Sequence, residues 1–413
     1  MPYNFRLFWQ TATRSFINTN NTHGRLERRR LIFVLLFFSV WPWWALFTGL
    51  CFWLDEILFP DFRNQPIEKP LFILGNFRSG STFLHRLLSR DEENFISLRT
   101  WDIFITPSIT QRKIARVFSK LDSHVGYPLH KLIKTIDRHT LYRVDIHHIS
   151  FFEPEEDENI LLHTWSTFFI LVMFPFLDAL PPYQYFDEAI PEKERKQIMN
   201  FYRECIQRHL YATGGNRHFV SKNPAFSAKI QTLMEFFPDA RIIYLVRNPL
   251  DMLPSTVSWL SYAWHIFGVS QEKYPYRKEI LEFTQYWYRH PLAQLDRHPS
   301  SNNAVILYDD LISKPAEVIH DFCCRFGFTD QCALERILRN AEEDVQHFHS
   351  EHLYSYEEMG FTREQIIAAY ADIFVRFGFD QREPASILTL PEAIPEPLTA
   401  ADQCSANRRE PIK

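Results

Sequence analysis

The chain lacks an excess of positive charge: 45 basic side chains stand against 50 acidic ones, for a net charge of −5. A protein that coats nucleic acid normally carries a strong basic surplus, so that class is excluded. Cysteine is sparse as well. The six residues, Cys51, Cys205, Cys323, Cys324, Cys332 and Cys404, form no CxxC pair and no even spacing, which excludes a zinc ribbon or a disulfide scaffold. Glycosylation acceptors are almost missing, since the single Asn-x-Ser/Thr site begins at Asn20. A secreted or luminal body of this size usually has more of both. The main body is therefore expected to face a cytoplasm.

What is abundant is apolar and aromatic. The 413 residues are 46% apolar and 16% aromatic, with 38 Phe, enough for one large α/β domain or two small ones. From Leu31 to Leu54, LIFVLLFFSVWPWWALFTGLCFWL carries no charge over 24 residues. As a straight helix this is about 36 Å, enough to cross a bilayer. Arg25, Arg28, Arg29 and Arg30 precede it, and Asp55 and Glu56 follow. It is too long for a cleavable signal, and the plain alternative is a buried core helix. Two membrane topologies are compatible with it. A single span would leave the amino terminus in the cytoplasm and the rest across the membrane. A hairpin bent at Pro42, among Trp41, Trp43 and Trp44, would keep both ends on one side.

Beyond this anchor, PLFIL (70–74), HFVSK (218–222), RIIYLV (241–246) and NAVILY (303–308) read as strands separated by helical patterns. That alternation predicts an α/β fold, a parallel sheet covered by helices on both faces. The expected organisation is a basic segment 1–30, a membrane anchor 31–58, a catalytic domain 66–380 and a proline-rich disordered tail 381–413.

The stretch GNFRSGST (75–82) after the first strand matches the phosphate-loop pattern G-x-x-x-x-G-K-[ST] except that Ser81 replaces the lysine. Glycine turns and helix-end amides suit an anion, so the frame survives. The charge on a γ-phosphate does not, and RIIYLV ends in Arg247 where a metal-binding Asp would stand. Arg247 is followed eight residues later by Ser255, with Asp251 or Ser255 as a helix cap. Arginine and hydroxyl at a parallel strand's carboxyl end fit a second phosphate; a solvated strand end is the bland alternative.

Together, GNFRSGST and RIIYLVRNPLDMLPS resemble the 5′-phosphosulfate loop and the 3′-phosphate site of sulfotransferases that use 3′-phosphoadenosine-5′-phosphosulfate (PAPS). PEEDE at 154, SKNP at 221, YDDLISKP at 308 and HLYSYEEMGF at 352 resemble further motifs of the broad bacterial-type branch, over about 70–380. The resemblance implies a P-loop-type parallel sheet and PAPS as co-substrate, with adenosine 3′,5′-bisphosphate as product and no metal. It implies that Arg78, Ser79, Gly80, Ser81 and Thr82 hold the 5′-phosphate and Arg247 and Ser255 the 3′-phosphate. His352 and Tyr354 would lie near the nucleotide, and Lys222 would face the sulfuryl group.

In the cytosolic branch a histidine follows that lysine by two residues, whereas this chain has Pro224. The base is then expected at Glu156, within PEEDE, or at His148; an acidic helix start is the ordinary reading of PEEDE. The run FFILVMFPFL (168–177) is either a buried helix or a membrane-facing wall admitting a lipidic acceptor. The sequence thus predicts a membrane-attached enzyme that sulfates a small-molecule, lipid or glycan hydroxyl. A bacterial inner membrane with a cytoplasmic catalytic domain suits it best, with a Golgi-type single-pass luminal arrangement as alternative. A P-loop kinase would need Mg²⁺ and the missing lysine. A non-catalytic nucleotide-binding membrane protein would need broken site residues. The sequence names neither the acceptor nor an oligomeric state.

Overall fold

A computed structural model describes residues 1–17, 19–20, 22–137, 150–177, 180–215, 217–269, 272–328, 337 and 356–379. The chain divides into a large compact unit, Met1–Ala371, and a second unit, Asp372–Lys413, described as far as residue 379. The expected tail therefore lies outside the described residues.

Five strands form one parallel sheet: β1 (Leu71–Gly75), β2 (Phe95–Ile96), β3 (His218–Lys222), β4 (Arg241–Val246) and β5 (Asn303–Leu307), in the order β2-β3-β1-β4-β5. The centre of the sheet follows from composition. Every residue of β1 is buried, as is β4 beyond its first residue, because helices cover both faces. Burying each such Leu or Ile fully is worth roughly 1.5–3 kcal/mol. At the edge, β5 alternates buried and exposed, with Val305 turned outward. Four of these strands were legible as apolar runs. The two-residue β2 was not, being too short to show a period.

Register decides where the chemistry can sit. Ile73 of β1 pairs with Lys222 of β3, and Gly75 pairs with Leu245 of β4. The phosphate-loop segment, Lys222 and Arg247 therefore all emerge from the carboxyl ends of three adjacent strands, the usual ligand crevice of a parallel sheet.

Before the sheet come α1 (Phe5–Phe16) and α2 (Arg28–Leu58), and after β1 come α3 (Ser81–Ser89), α4 (Thr100–Phe104), α5 (Ile109–His124) and α6 (Pro128–Ile136). The 31-residue α2 is one continuous helix with Pro42 inside it, so the apolar run is not a bent hairpin. Its inner face is held by the body of the protein, where Phe33 and Phe37 pack on Phe174 and Trp41 on Trp165. The FFILVMFPFL run provides part of that seat. Phe168, Ile170, Leu171, Val172, Phe174 and Phe176 are buried, which makes the run core beneath α2 and not a membrane-facing wall.

Candidate active site

β1 ends at Gly75 with φ 148°, where a Cβ would lie 2.7 Å from the Leu245 carbonyl oxygen. Only glycine lets β1 approach β4 this closely as the chain turns. Ser227 fastens the turn: its hydroxyl donates to the Gly75 carbonyl (2.9 Å) and accepts from the Gly75 amide (3.2 Å). Asn76 donates to the Thr284 carbonyl at 3.2 Å, and Phe77 stacks on Trp259 with centroids 4.8 Å apart. Arg78 is left-handed at φ 63°, a conformation costing a non-glycine residue roughly 1–3 kcal/mol and typical of functional loops. Gly80, at φ 86°, is the N-cap of α3, so the amides of the loop run into the positive end of that helix.

The second half of the site is locked to this loop. Arg78 Nε donates to Ser255 Oγ at 3.0 Å, and Arg247 donates to the Arg78 carbonyl at 2.8 Å. The Arg247 guanidinium lies 4.4 Å from the centre of the Tyr308 ring, and the Tyr288 hydroxyl donates to the Arg247 carbonyl at 2.5 Å. Tyr308 also closes over the loop, since a Cβ on Gly80 would come within 2.8 Å of its ring. Ser255 sits inside helix Pro249–Ile266 and is buried, and that helix is capped by Asn248, which accepts from the Leu250 amide. Neither Asp251 nor Ser255 is the cap. Three buried polar atoms here have no hydrogen-bond partner in the described residues: the acceptor Asn76 Oδ1 and the donors Ser79 Oγ and Arg247 Nε. In a packed interior such donors normally find partners, and their placement suits an anion.

Lys222, the last residue of β3, is buried and not a surface cap. Its ammonium donates to Glu156 Oε1 at 2.9 Å and lies 3.8 Å from Glu155 Oε1. PEEDE does open a helix, the 3₁₀ turn Asp157–Thr164, but its acids point inward to specific partners. Asp157 accepts from Ser221 (2.8 Å) and Tyr202, and burial pushes its carboxyl up to about 7. Glu158 takes the Lys229 ammonium, the Thr167 hydroxyl and the Phe168 amide. Nearby, burial and then the Lys222 charge push His85 down to about 3, so this imidazole is neutral and bonded to Ser97 at 3.0 Å.

The structure thus joins Arg78, Arg247 and Ser255 in one cluster and Lys222 and Glu156 in another. His148, His352 and Tyr354 lie outside the described residues. Tyr288 escaped the sequence reading, and Glu155 and Tyr308 entered it only as members of PEEDE and YDDLISKP. For Tyr308 the only available signal was its place in YDDLISKP, directly after a strand.

A model of the sulfotransferase family matches residues 70–331. Among characterised proteins the chain is similar to the omega-hydroxy-beta-dihydromenaquinone-9 sulfotransferase Stf3 of Mycobacterium bovis and of Mycobacterium tuberculosis, at 22% identity over 334 residues and 77% of each chain. Its fold is similar to that of sulfotransferase STF9 from Mycobacterium avium, with a TM-score of 0.65 and 18% identity over 91% of this chain and 97% of that one. It is also similar to STF1 from M. tuberculosis, with a TM-score of 0.60 and 16% identity over 89% and 92%. The kinase and non-catalytic readings give way to this agreement, and the chain belongs to the sulfotransferase family as a sulfotransferase enzyme.

Proposed function

We propose that this sulfotransferase takes its sulfuryl group from PAPS and delivers it to a hydroxyl of a lipidic acceptor at a membrane. The observation that carries the donor assignment is the Arg78–Ser255–Arg247 cluster beside Ser79, at the carboxyl end of β1 and β4. When bound, PAPS supplies the sulfuryl group, and adenosine 3′,5′-bisphosphate is what remains.

The chain's own residues divide the work. The α3 N-terminus with Ser79, Ser81 and Thr82 holds the 5′-phosphate, and Arg78 neutralises charge growing on it as the S–O bond breaks. Arg247 and Ser255 hold the 3′-phosphate, with Tyr308 and Tyr288 fixing the arginine. Lys222 faces the sulfonyl oxygens. Glu156 accepts the acceptor's hydroxyl proton as the new O–S bond forms, and Lys222 holds that carboxylate in place until then. Pro224 excludes the histidine of the cytosolic branch from this place. An acidic base paired to the lysine is the arrangement at hand.

Support for a lipidic acceptor comes from the relative named for a menaquinone-derived substrate and from the apolar α2. A cytoplasmic catalytic domain at a bacterial inner membrane fits both.

Calorimetric titration of the detergent-solubilised protein with adenosine 3′,5′-bisphosphate, without Mg²⁺, tests the donor site. Micromolar binding is expected, weakened at least about 100-fold by Arg247→Ala, since charge-assisted phosphate bonds are worth about 1.5–3 kcal/mol each. Absence of binding alongside tight binding of ATP with Mg²⁺ would overturn the assignment.

A further inference from the structure

The helix α2 is apolar on both faces, yet only one face has protein against it. Arg30, Val34, Ala45, Thr48, Cys51, Phe52 and Asp55 are buried. On the opposite side Ile32, Leu36, Val40, Trp43, Leu46, Leu50, Trp53 and Ile57 are exposed, most by more than half of their surface. Their spacing of three or four residues makes one uninterrupted apolar stripe along the whole helix. A surface helix of a water-soluble body would carry polar residues there.

The buried face argues against a transverse span. Arg30 donates to the carbonyls of Met173 (2.7 Å) and Phe267 (3.1 Å) near one end of α2. Trp44 donates to the Phe104 carbonyl at 3.1 Å in the middle. Near the other end Asp55 accepts the amides of Ile109 and Thr110, capping α5, and lies 3.3 Å from the buried Arg208. From Arg30 to Asp55 is roughly 38 Å of helix, all of it seated on the catalytic unit. The segments before and after α2 also meet on that same unit. The Asn4 amide donates to the Thr164 carbonyl at 2.9 Å, Phe8 packs edge-on against Trp165, and His23 packs on Tyr276. A single span would place those partners on opposite sides of a bilayer.

Neighbouring helices extend the apolar face. Phe5 and Trp9 are exposed on α1, which packs on α2 through Phe8 and Phe38. Val117, Phe118 and Leu121 are exposed on α5, and Leu129, Leu132 and Ile136 on α6, a helix with no buried residue. Charge follows the same surface. In a chain that is acidic overall, α1 and α6 contain no acidic side chain and α5 only Asp122, while Arg25, Arg28, Arg29, Lys120, Lys131 and Lys134 are exposed. Apolar stripes with basic residues at the start of α2, where Glu27 stands among the arginines, and along α5 and α6 match one leaflet of an anionic bilayer.

We infer that α2 lies in the plane of the membrane, and that the α1–α2–α5–α6 face docks the enzyme into a single leaflet without crossing it. This rests on the membrane attachment proposed above and fixes its geometry. The catalytic unit then stays on one side, and an acceptor hydroxyl at the lipid–water boundary is reached without extraction into water.

The test uses the full chain with vesicles of phosphatidylcholine, with and without phosphatidylglycerol. Flotation is expected with the anionic vesicles, and Trp43→Glu combined with Leu46→Glu should lower the bound fraction at least about tenfold, a change of about 1.4 kcal/mol. Leu132→Glu, on a helix with nothing buried, should weaken binding in the same direction without touching the core. Both variants should bind adenosine 3′,5′-bisphosphate as the parent does. Side is read by an impermeant maleimide on Gln10→Cys and Lys193→Cys, each with Cys324, Cys332 and Cys404 replaced by Ser. Tagging of both from the same side of sealed membranes is expected. Tagging from opposite sides would make α2 a span and overturn the in-plane geometry while leaving attachment intact. No flotation with either vesicle, with the chain dimeric by light scattering, would overturn membrane attachment itself and assign the face to a second copy.

Discussion

Two lysine–glutamate pairs join the same two segments, Lys222–Glu156 and Lys229–Glu158, and they have different work to do. Lys229 and Glu158 are both fully buried. Glu158 accepts from three donors, and Lys229 has the rings of Phe186 and Phe226 at 5.0 and 5.4 Å. Burial lowers the Lys229 pKa against its partner's pull. Lys222 and Glu156 are buried as well, but they meet where β3 ends, with Glu155 as a second carboxylate within reach. The lesson is that charge pairing alone marks neither role. A pair sealed by rings serves architecture, and the pair at the carboxyl end of the sheet is the one to which the proposed function gives the proton transfer.

Breaking the closed pair should have the largest effect. Lys229→Met leaves Glu158 charged, buried and uncompensated, which costs about 3–5 kcal/mol of stability. Urea unfolding of the variant would show it, and a loss under 1 kcal/mol would mean the pair is not what ties the 3₁₀ turn Asp157–Thr164 to the segment after β3. The pair at the end of β3 should respond in the other observable. Lys222→Met is expected to lower kcat about 100- to 1,000-fold, the range for removing one donor to developing charge. Because Glu156 is also buried, the unfolding midpoint of Lys222→Met should fall too, but kcat should be lost at temperatures where the variant is fully folded. Equal destabilisation with normal kcat would erase the distinction drawn between the two pairs.

Asp157, between the two glutamates, gives the finest test. Burial raises its folded pKa to about 7 from an ordinary 3.8, so the native state holds a proton that the unfolded chain has released. Its contribution to stability is full below about pH 4 and declines as pH rises through about 7. Asp157→Asn should flatten that part of the profile of Tm against pH. A profile unchanged by the substitution would place the ionisation elsewhere.

How far the sequence could lead differs from one element to the next. β1, β3, β4 and β5 announced themselves as apolar runs because buried parallel strands need apolar side chains on both faces. The phosphate loop was visible because Gly75 and Gly80 take backbone angles that other residues resist, and such needs are met locally. Arg247 and Ser255 were visible through their spacing on a strand end and the helix after it. The partners of PEEDE were not. Which of four adjacent acids meets Lys222 depends on the 3₁₀ turn and on the register of β3 against β1, and neither is encoded by the acids themselves. YDDLISKP marked the place of Tyr308 but not its role, since its contact with Gly80 and Arg247 exists only because β5 lies next to β4.

The sequence by itself determined the kind of fold, the place of the phosphate loop and the presence of a long uncharged run, because each depends on local backbone demands or on a run of one residue type. Only the tertiary structure decided that this run is one helix continuous through Pro42, that its inner face carries buried Arg30 and Asp55, and that Asn4, Phe8 and Gly24 lie against Thr164, Trp165 and Phe176. Composition records how much apolar surface a helix has. Which face is covered, and by what, depends on contacts between residues more than a hundred positions apart.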